Sequence, residues 1–247
     1  MKRTTLSLAA LLIASAPAFG AGGGALPFHY EPDTANTAAI QRGARDFMAY
    51  CSGCHSMKLL RHNRLAADTG IPEDLLEKYL MVTTDKAGDP ILSAMTAEDG
   101  KAWFGQTPPD LSLTSRLRTP SWVYSYLMGF YLDDTKPNGV NNLVLPGVSM
   151  PHVLGELQGW QVHTGDEEAA EDDGHSGPKV PLELAIEGSL TPDEYEKRAA
   201  DLTTFMAYAS EPGKQNRIAL GKKVMVYLLI LFGIAYLLKK EYWRDVH

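Results

Sequence analysis

Five consecutive residues, Cys51 to His55, constrain this chain more than any other part of its 247 residues. They read Cys-Ser-Gly-Cys-His and contain both cysteines of the chain, with a histidine directly after the second. A C-x-x-C-H segment is the signature of covalent haem attachment, in which each thiol adds to one vinyl group of the porphyrin. The histidine then lies under the ring, where its imidazole can ligate the iron. We therefore predict that Cys51, Cys54 and His55 bind one haem c.

Other interpretations of the two cysteines fit less well. A redox Cys-x-x-Cys pair requires no histidine and normally lies beside a βαβ pattern, which this sequence lacks. A disulfide across two intervening residues closes too short a loop to stabilise a fold much. A structural zinc site needs two more ligands at motif spacing, and the sequence has no second pair of cysteines.

The N-terminus has the parts of a secretory signal peptide. Lys2 and Arg3 form a basic start, Leu6–Ala16 is an apolar run, and small residues with plausible cleavage sites follow at 16–20. A buried N-terminal helix is the alternative, which the basic start and the small residues disfavour. Covalent haem attachment of this kind belongs outside the cytoplasm, so the two features agree. We predict residues 1–20 as signal peptide and 21–216 as an exported haem domain.

A second membrane element is predicted near the C-terminus. Val224–Leu238 is 15 residues long, carries no charge and is bracketed by paired lysines. Its helical length of about 22 Å is short of a bilayer core, but lysine stems can snorkel. The alternative is a buried helix of a soluble protein. We predict a transmembrane helix over 217–240 and a cytoplasmic tail over 241–247. Together with the signal peptide, this places a single-pass protein in a bacterial inner membrane, with its haem domain in the periplasm.

The charge of the chain excludes one class of partner. The formal net charge is −7, from 23 basic and 30 acidic residues. Loss of Lys2 and Arg3 with the signal peptide makes it −9. An acidic exported domain does not bind nucleic acid and is better suited to a basic protein partner.

Two helices are predicted to frame the haem motif. Ile40, Ala44, Phe47, Met48 and Cys51 fall on one face of a helix that runs into it. Gly43 on this helix is unfavourable for helicity, which indicates either a close crossing with another helix or a weak point.

The second helix begins late in the chain. Thr191, Pro192 and Glu194 form a capping-box start, and Glu211-Pro212-Gly213 marks the end. A linker over 212–220 is predicted to lead from here to the membrane helix. Strand signals are sparse and prolines punctuate the middle of the chain, so the predicted fold class is mostly α, with long loops.

The sixth position of the iron decides whether the site carries electrons or binds other ligands. Met150, in the turn-rich segment 145–151, is a candidate that would give a Met/His haem of raised potential. His152 is its main rival and would give a bis-His haem of lower potential. The local sequence leaves this choice open. The weaker candidates are three histidines and four methionines: His29, His62, His163, Met57, Met81, Met95 and Met128.

Arginines are the preferred partners of the anionic haem propionates. Arg116 and Arg118 follow the segment Pro108–Ser112 and are both candidates, with solvated surface arginines as the equally good alternative.

The segments described above, taken in order, resemble the cytochrome c1 family, whose members are the haem-bearing anchored subunits of cytochrome bc1 complexes. The haem motif alone is unspecific among c-type cytochromes, but the ordered set covers most of the predicted mature chain. Its segments are Arg42-Gly43, Tyr50–Met57, Pro108–Ser112 with the two following arginines, Pro146–Pro151, Asp201–Pro212 and the terminal membrane helix.

The resemblance implies a cytochrome c-like haem domain with His55 and Met150 as axial ligands. It also favours Arg118, with Arg116 second, as the propionate partner. The family often has glycine directly before the ligand methionine, where this chain has Ser149. Residues 166–173 hold six acids and no base, which indicates either a solvated loop or, by resemblance, a surface that steers a basic cytochrome c.

The function implied by the resemblance is electron relay. The chain would take an electron from the Rieske-type iron–sulfur subunit of a quinol-oxidising bc1 complex, beside cytochrome b, and pass it to a cytochrome c. The isolated chain would have no catalytic residues and would serve as a subunit of a quinol–cytochrome c oxidoreductase. The alternatives are a free-standing anchored cytochrome c that feeds an oxidase, and a haem enzyme or sensor with an open sixth position.

Overall fold

In the computed structural model, which describes residues 26–165 and 181–245, about half of the described residues are helical. The mostly α prediction is therefore confirmed. The signal peptide predicted over 1–20 and the acidic run over 166–173 lie outside the described residues. The domain boundaries that depend on them stay predictions.

The described residues form nine helices and six short strands. The helices are α1 (Thr37–Tyr50), α2 (His62–Thr69), α3 (Glu73–Tyr79), α4 (Ala97–Phe104), α5 (Thr114–Arg118), α6 (Pro120–Met128), α7 (Gly155–Gln158), α8 (Pro192–Ser210) and α9 (Lys214–Tyr242). The strands are β1 (Met57–Arg61), β2 (Pro90–Ile91), β3 (Phe130–Leu132), β4 (Val140–Asn142), β5 (Gly159–His163) and β6 (Leu182–Glu187). They pair in order as three antiparallel two-stranded sheets, β1 with β2, β3 with β4 and β5 with β6.

Helices α1 and α8 cross in close contact, and Gly43 is the reason they can. A Cβ built at Gly43 would collide with the carbonyl oxygen of Asp201 and would lie 2.7 Å from the Cβ of Phe205. One turn along the crossing, the rings of Phe47 and Phe205 pack with centroids 5.5 Å apart, and both side chains are fully buried. The expected glycine crossing is therefore confirmed, and the weak-point interpretation is not needed.

An ion pair fixes the same crossing at its edge. The guanidinium of Arg42 donates from Nε and a terminal nitrogen to the two carboxylate oxygens of Asp201, at 2.6 and 2.8 Å. Asp201 is only 8% exposed, so water screens this two-point contact less than it would a surface pair. The pair sets the register in which α8 lies across α1.

The start of α8 has the capping box that the sequence predicts. The Thr191 hydroxyl accepts from the backbone N–H of Glu194, and the Glu194 carboxylate accepts from the backbone N–H of Thr191 at 3.0 Å. These two bonds pair backbone donors that the first helical turn leaves without an intrahelical acceptor.

Replacing Thr191 by alanine should destabilise the protein by about 1 kcal/mol, because the N-cap acceptor is lost. For a chain of this size the melting temperature should fall by about 2–4 °C, measured on the detergent-solubilised holoprotein. Thr191→Ser keeps the acceptor and should melt within about 1 °C of the unchanged protein. Equal losses in the two variants would contradict the capping role.

Helix α9 is longer than the sequence predicts. It has 29 residues, spans about 43 Å, and none of its residues is buried. Among the described residues it is the one helix long and apolar enough to cross a membrane. The predicted linker over 212–220 is wrong, since only Glu211, Pro212 and Gly213 separate α8 from α9. Lys214–Leu220 contains no helix breaker, so the helix extends back through it.

Candidate haem site

The haem motif forms a tight turn at the C-terminal end of α1. The backbone N–H groups of Cys54 and His55 both donate to the carbonyl oxygen of Cys51, at 3.0 and 2.8 Å. Cys51 is buried, Cys54 is partly exposed, and both are free thiols. Burial raises the pKa of both thiols, that of Cys51 to about 12. The motif is thus an extension of the helix whose position the α1–α8 crossing determines.

One hydrogen bond orients the imidazole of His55. Its Nδ1 lies 2.8 Å from the carbonyl oxygen of Pro109, which can only accept, so Nδ1 carries the hydrogen. Nε2 is then the unprotonated nitrogen and has the lone pair that a metal requires. Burial lowers the pKa of His55, which favours the neutral, metal-binding form. The ring is therefore prepared as an Nε2 ligand.

The segment that contains Pro109 is tied to the haem motif by further bonds. The Asp110 carboxylate accepts from the backbone N–H of Lys58 at 2.8 Å, and the N–H of Leu111 donates to the carbonyl oxygen of Ser56 at 2.8 Å. These bonds hold the segment Pro108–Ser112 beside the haem motif, although the two are more than 50 residues apart in the chain. The role of the Pro109 carbonyl was missed from the sequence, because a backbone acceptor leaves no side-chain signal.

A mostly apolar cleft opens beside the motif. Both cysteines and His55 lie on one side of it, and the loop that contains Met150 lies on another. The lining residues are Tyr50, Cys51, Cys54, His55, Phe104, Gln106, Pro108, Pro109, Ser149, Met150, Pro151 and Val153. Two thiols, an imidazole with a free Nε2 and a thioether around one apolar cleft are the donor set of a c-type haem with Met/His ligation. The residues present therefore fit the group.

The loop of Met150 is held by side-chain amides of the β3–β4 hairpin. Asn138 Nδ2 donates to the carbonyl oxygens of Val148 and Met150, at 3.1 and 3.3 Å. Gly147 has a φ of 76°, which favours glycine, and its N–H donates to Asn141 Oδ1 at 2.8 Å. The thioether of Met150 accepts from the hydroxyl of Tyr126, with 3.3 Å between oxygen and sulfur.

His152, the main rival ligand, packs away from the cleft. Its ring stacks on Phe130, with centroids 4.7 Å apart and 8° between the planes, and meets the edge of Trp160 at 5.6 Å. Burial lowers the pKa of His152 to about 4, so the ring is a neutral part of the core. Of the candidate sixth ligands, all of which lie in the described part of the chain, Met150 alone lines the cleft. The candidates that do not line it are His152, His29, His62, His163, Met57, Met81, Met95 and Met128.

Neither predicted propionate arginine lines the cleft. Arg116 lies beside a different cavity, with its guanidinium 3.8 Å from the carboxylate of Glu211. Arg118 is exposed, and its guanidinium carbon lies 5.3 Å from the centre of the Trp122 ring. The structure therefore does not bring Arg116 to the site, while Arg118 is connected to it through the aromatic side chains of α6.

Comparisons with known proteins point to one family. A model of the Cytochrome C1 family matches residues 27–174 and 187–246. Cytochrome c1 of Allochromatium vinosum is 47% identical over 241 residues, which cover 96% of both chains. The ammonia monooxygenase gamma subunit of Nitrosomonas europaea is 41% identical over 87% of this chain and 86% of its own. Cytochrome c1 of Rhodospirillum rubrum is 28% identical over 84% and 81%.

These matches extend over the haem motif, the cleft and α9 together. The resemblance drawn from the sequence segments is therefore confirmed. Family membership implies a c-type haem and electron transport, and α9 supplies a membrane anchor of the required length. The chain belongs to the cytochrome c1 family, and it is an electron-transfer subunit rather than an enzyme on its own.

Proposed function

We propose that this chain is the haem-bearing subunit of a cytochrome bc1 complex. It would receive one electron from a Rieske-type iron–sulfur subunit and pass it to a cytochrome c. The observation that supports this most directly is the cleft in which the C-x-x-C-H motif and Met150 face a common space, in a chain 47% identical to a cytochrome c1. The bound haem supplies the redox chemistry, since its iron accepts and releases one electron.

The residues of the chain hold and protect that group. Cys51 and Cys54 would attach it covalently, which prevents its loss during turnover. His55 would ligate through Nε2, with its orientation maintained by the Pro109 carbonyl. Met150 would close the sixth position, so that small ligands are excluded and the potential is raised. The apolar lining keeps water from the site and reduces the solvent reorganisation that electron transfer requires.

The membrane arrangement follows from α9. We propose that the haem domain lies on the periplasmic side of a bacterial inner membrane and that α9 crosses once, beside a cytochrome b subunit. None of the 29 residues of α9 is buried, which suits both a bilayer and a partner helix. Arg118 remains the proposed propionate partner.

A second candidate is favoured by one comparison. The Nitrosomonas europaea relative is named as a subunit of an ammonia monooxygenase. By analogy, this chain would supply electrons to an oxygen-using membrane enzyme instead of accepting them from a quinol-oxidising complex.

Gentle solubilisation of the native membrane, followed by purification through a tag on this chain, distinguishes the two candidate functions. We expect a b-type haem spectrum and an iron–sulfur protein to co-purify, together with quinol-dependent reduction of cytochrome c. Purification with monooxygenase subunits would overturn the proposal in favour of the second candidate. Isolation without stable partners would point to a free-standing carrier. A high-spin spectrum with rapid carbon monoxide binding would indicate an open sixth position.

A further inference from the structure

The hydroxyl of Tyr126 donates a hydrogen bond to the sulfur of Met150, with 3.3 Å between the two atoms. We propose that Tyr126 is a positioning residue that orients the Met150 thioether and raises the reduction potential of the site. The inference rests on the proposed role of Met150 as the sixth ligand. The sequence does not predict it, because 24 residues separate the two side chains and no local pattern joins them.

The ring of Tyr126 is held in place independently of Met150. It stacks on Trp122, with centroids 5.2 Å apart and planes 10° from parallel, and packs edge-on against Phe130 at 5.1 Å. Its backbone carbonyl accepts from Asn142 Nδ2 at 2.8 Å, which ties the end of α6 to β4. The direction of the hydroxyl is therefore set by the packing of α6, and it points at the sulfur with little rotational freedom left.

The backbone of Met150 and its loop is held by the two hydrogen bonds that the Asn138 side-chain amide donates. The methionine side chain, in contrast, has several rotatable bonds and no strong conformational preference of its own. The Tyr126 hydroxyl is the polar contact that the structure gives to the sulfur atom. It therefore selects the side-chain rotamer in which the thioether is presented, while the loop itself does not depend on it.

The same bond has an electronic consequence. A thioether sulfur has two lone pairs, so one can face a metal while the other accepts the hydroxyl proton. Donation from the hydroxyl withdraws electron density from the sulfur and makes it a weaker donor. The ferric state needs more electron density from its ligands than the ferrous state, so a weaker donor favours reduction. Hydrogen bonding around axial ligands is one of the ways by which a protein adjusts haem potential.

Tyr126→Phe tests the inference on the holoprotein by redox titration. Removal of the hydroxyl with the ring retained should lower the equilibrium constant for reduction about threefold, or about 28 mV at about 59 mV per tenfold for one electron. The near-infrared thioether–iron band should persist but shift, since the ligand stays while its electron density rises.

Tyr124→Phe is the matched control on the same helix. Tyr124 is 4% exposed and its ring stacks on Tyr30 at 4.9 Å, on the side of α6 that faces the core. We expect its loss to leave the potential and the band unchanged. A second probe is 3-fluorotyrosine at position 126, which keeps the ring and makes the hydroxyl a stronger donor. It should raise the potential, and it stays informative if Tyr126→Phe assembles poorly.

The possible outcomes distinguish a failure of the role inferred for Tyr126 from a failure of the proposed ligand, Met150. An unshifted potential in Tyr126→Phe, or a fall with 3-fluorotyrosine, overturns the role of Tyr126 while Met150 remains the ligand. Equal shifts in Tyr126→Phe and Tyr124→Phe would also overturn it, because they would indicate a general packing effect. Persistence of the thioether band in Met150→Leu would instead overturn the ligand assignment itself.

Discussion

Met150→Leu is expected to abolish the near-infrared thioether–iron band and to open the sixth position of the haem. Leucine fills nearly the same space but has no lone pair, so the cleft is retained while the ligand is lost. The ferric protein should become high-spin or take up water, and the reduced protein should bind carbon monoxide rapidly. The loss of the thioether should also lower the potential, because Met/His ligation is what raises it.

The size of the fall in reduction potential can be expressed as a change in the equilibrium constant for one-electron reduction. A fall of about 59 mV lowers the equilibrium constant for accepting an electron tenfold, and we expect at least that much. Absorbance spectroscopy, carbon monoxide binding and redox titration of the purified holoprotein measure the three consequences.

Two variants serve as controls for Met150→Leu. Met128→Leu removes a thioether that packs against the core outside the cleft, and it should leave the band intact. His152→Ala removes the rival ligand, whose ring stacks on Phe130, and should reduce stability without loss of the band. If the unchanged protein lacked the band, and its low-spin spectrum were lost in His152→Ala but kept in Met150→Leu, the assignment of the ligand would be reversed.

Gly43→Ala should destabilise the whole haem domain. The added Cβ collides with the Asp201 backbone oxygen and lies 2.7 Å from the Cβ of Phe205, so α1 and α8 must separate. Alanine favours the helix by about 1 kcal/mol, but forced separation of packed backbones should exceed this, with a net loss of about 1–3 kcal/mol. Because Cys51 directly follows the last residue of α1, displacement of the helix should also reduce haem attachment.

The measurements for Gly43→Ala are thermal melting of the detergent-solubilised protein and the ratio of haem stain to total chain. Gly221→Ala is the matched control, since it makes the same change inside a helix where nothing lies within 4 Å of the added Cβ. It should melt at least as high as the unchanged protein. A Gly43→Ala protein with unchanged melting and full haem content would refute the close crossing as a structural requirement.

Local patterns were sufficient for a large part of the fold. Helical spacing identified the face of α1, and the capping box placed the start of α8 at Thr191. The unfavourable glycine at position 43 indicated the crossing, and the uncharged run identified α9. The linker was misjudged, because helix formers between Lys214 and Leu220 continue α9 although their mixed polarity resembles a connecting segment.

The candidate haem site was likewise predictable in part from local sequence and in part only from the tertiary structure. The sequence alone determined the donor types and one half of the site, since the spacing within Cys51–His55 places two thiols and an imidazole on a single turn. Only the tertiary structure decided that Met150 lines the cleft while His152 stacks on Phe130, that the Pro109 carbonyl orients His55, and that Tyr126 contacts the thioether. The physical reason is distance along the chain. Helical periodicity and caps depend on neighbours three or four residues apart, whereas these contacts join residues 22, 54 and 24 positions apart and exist only once the core has packed.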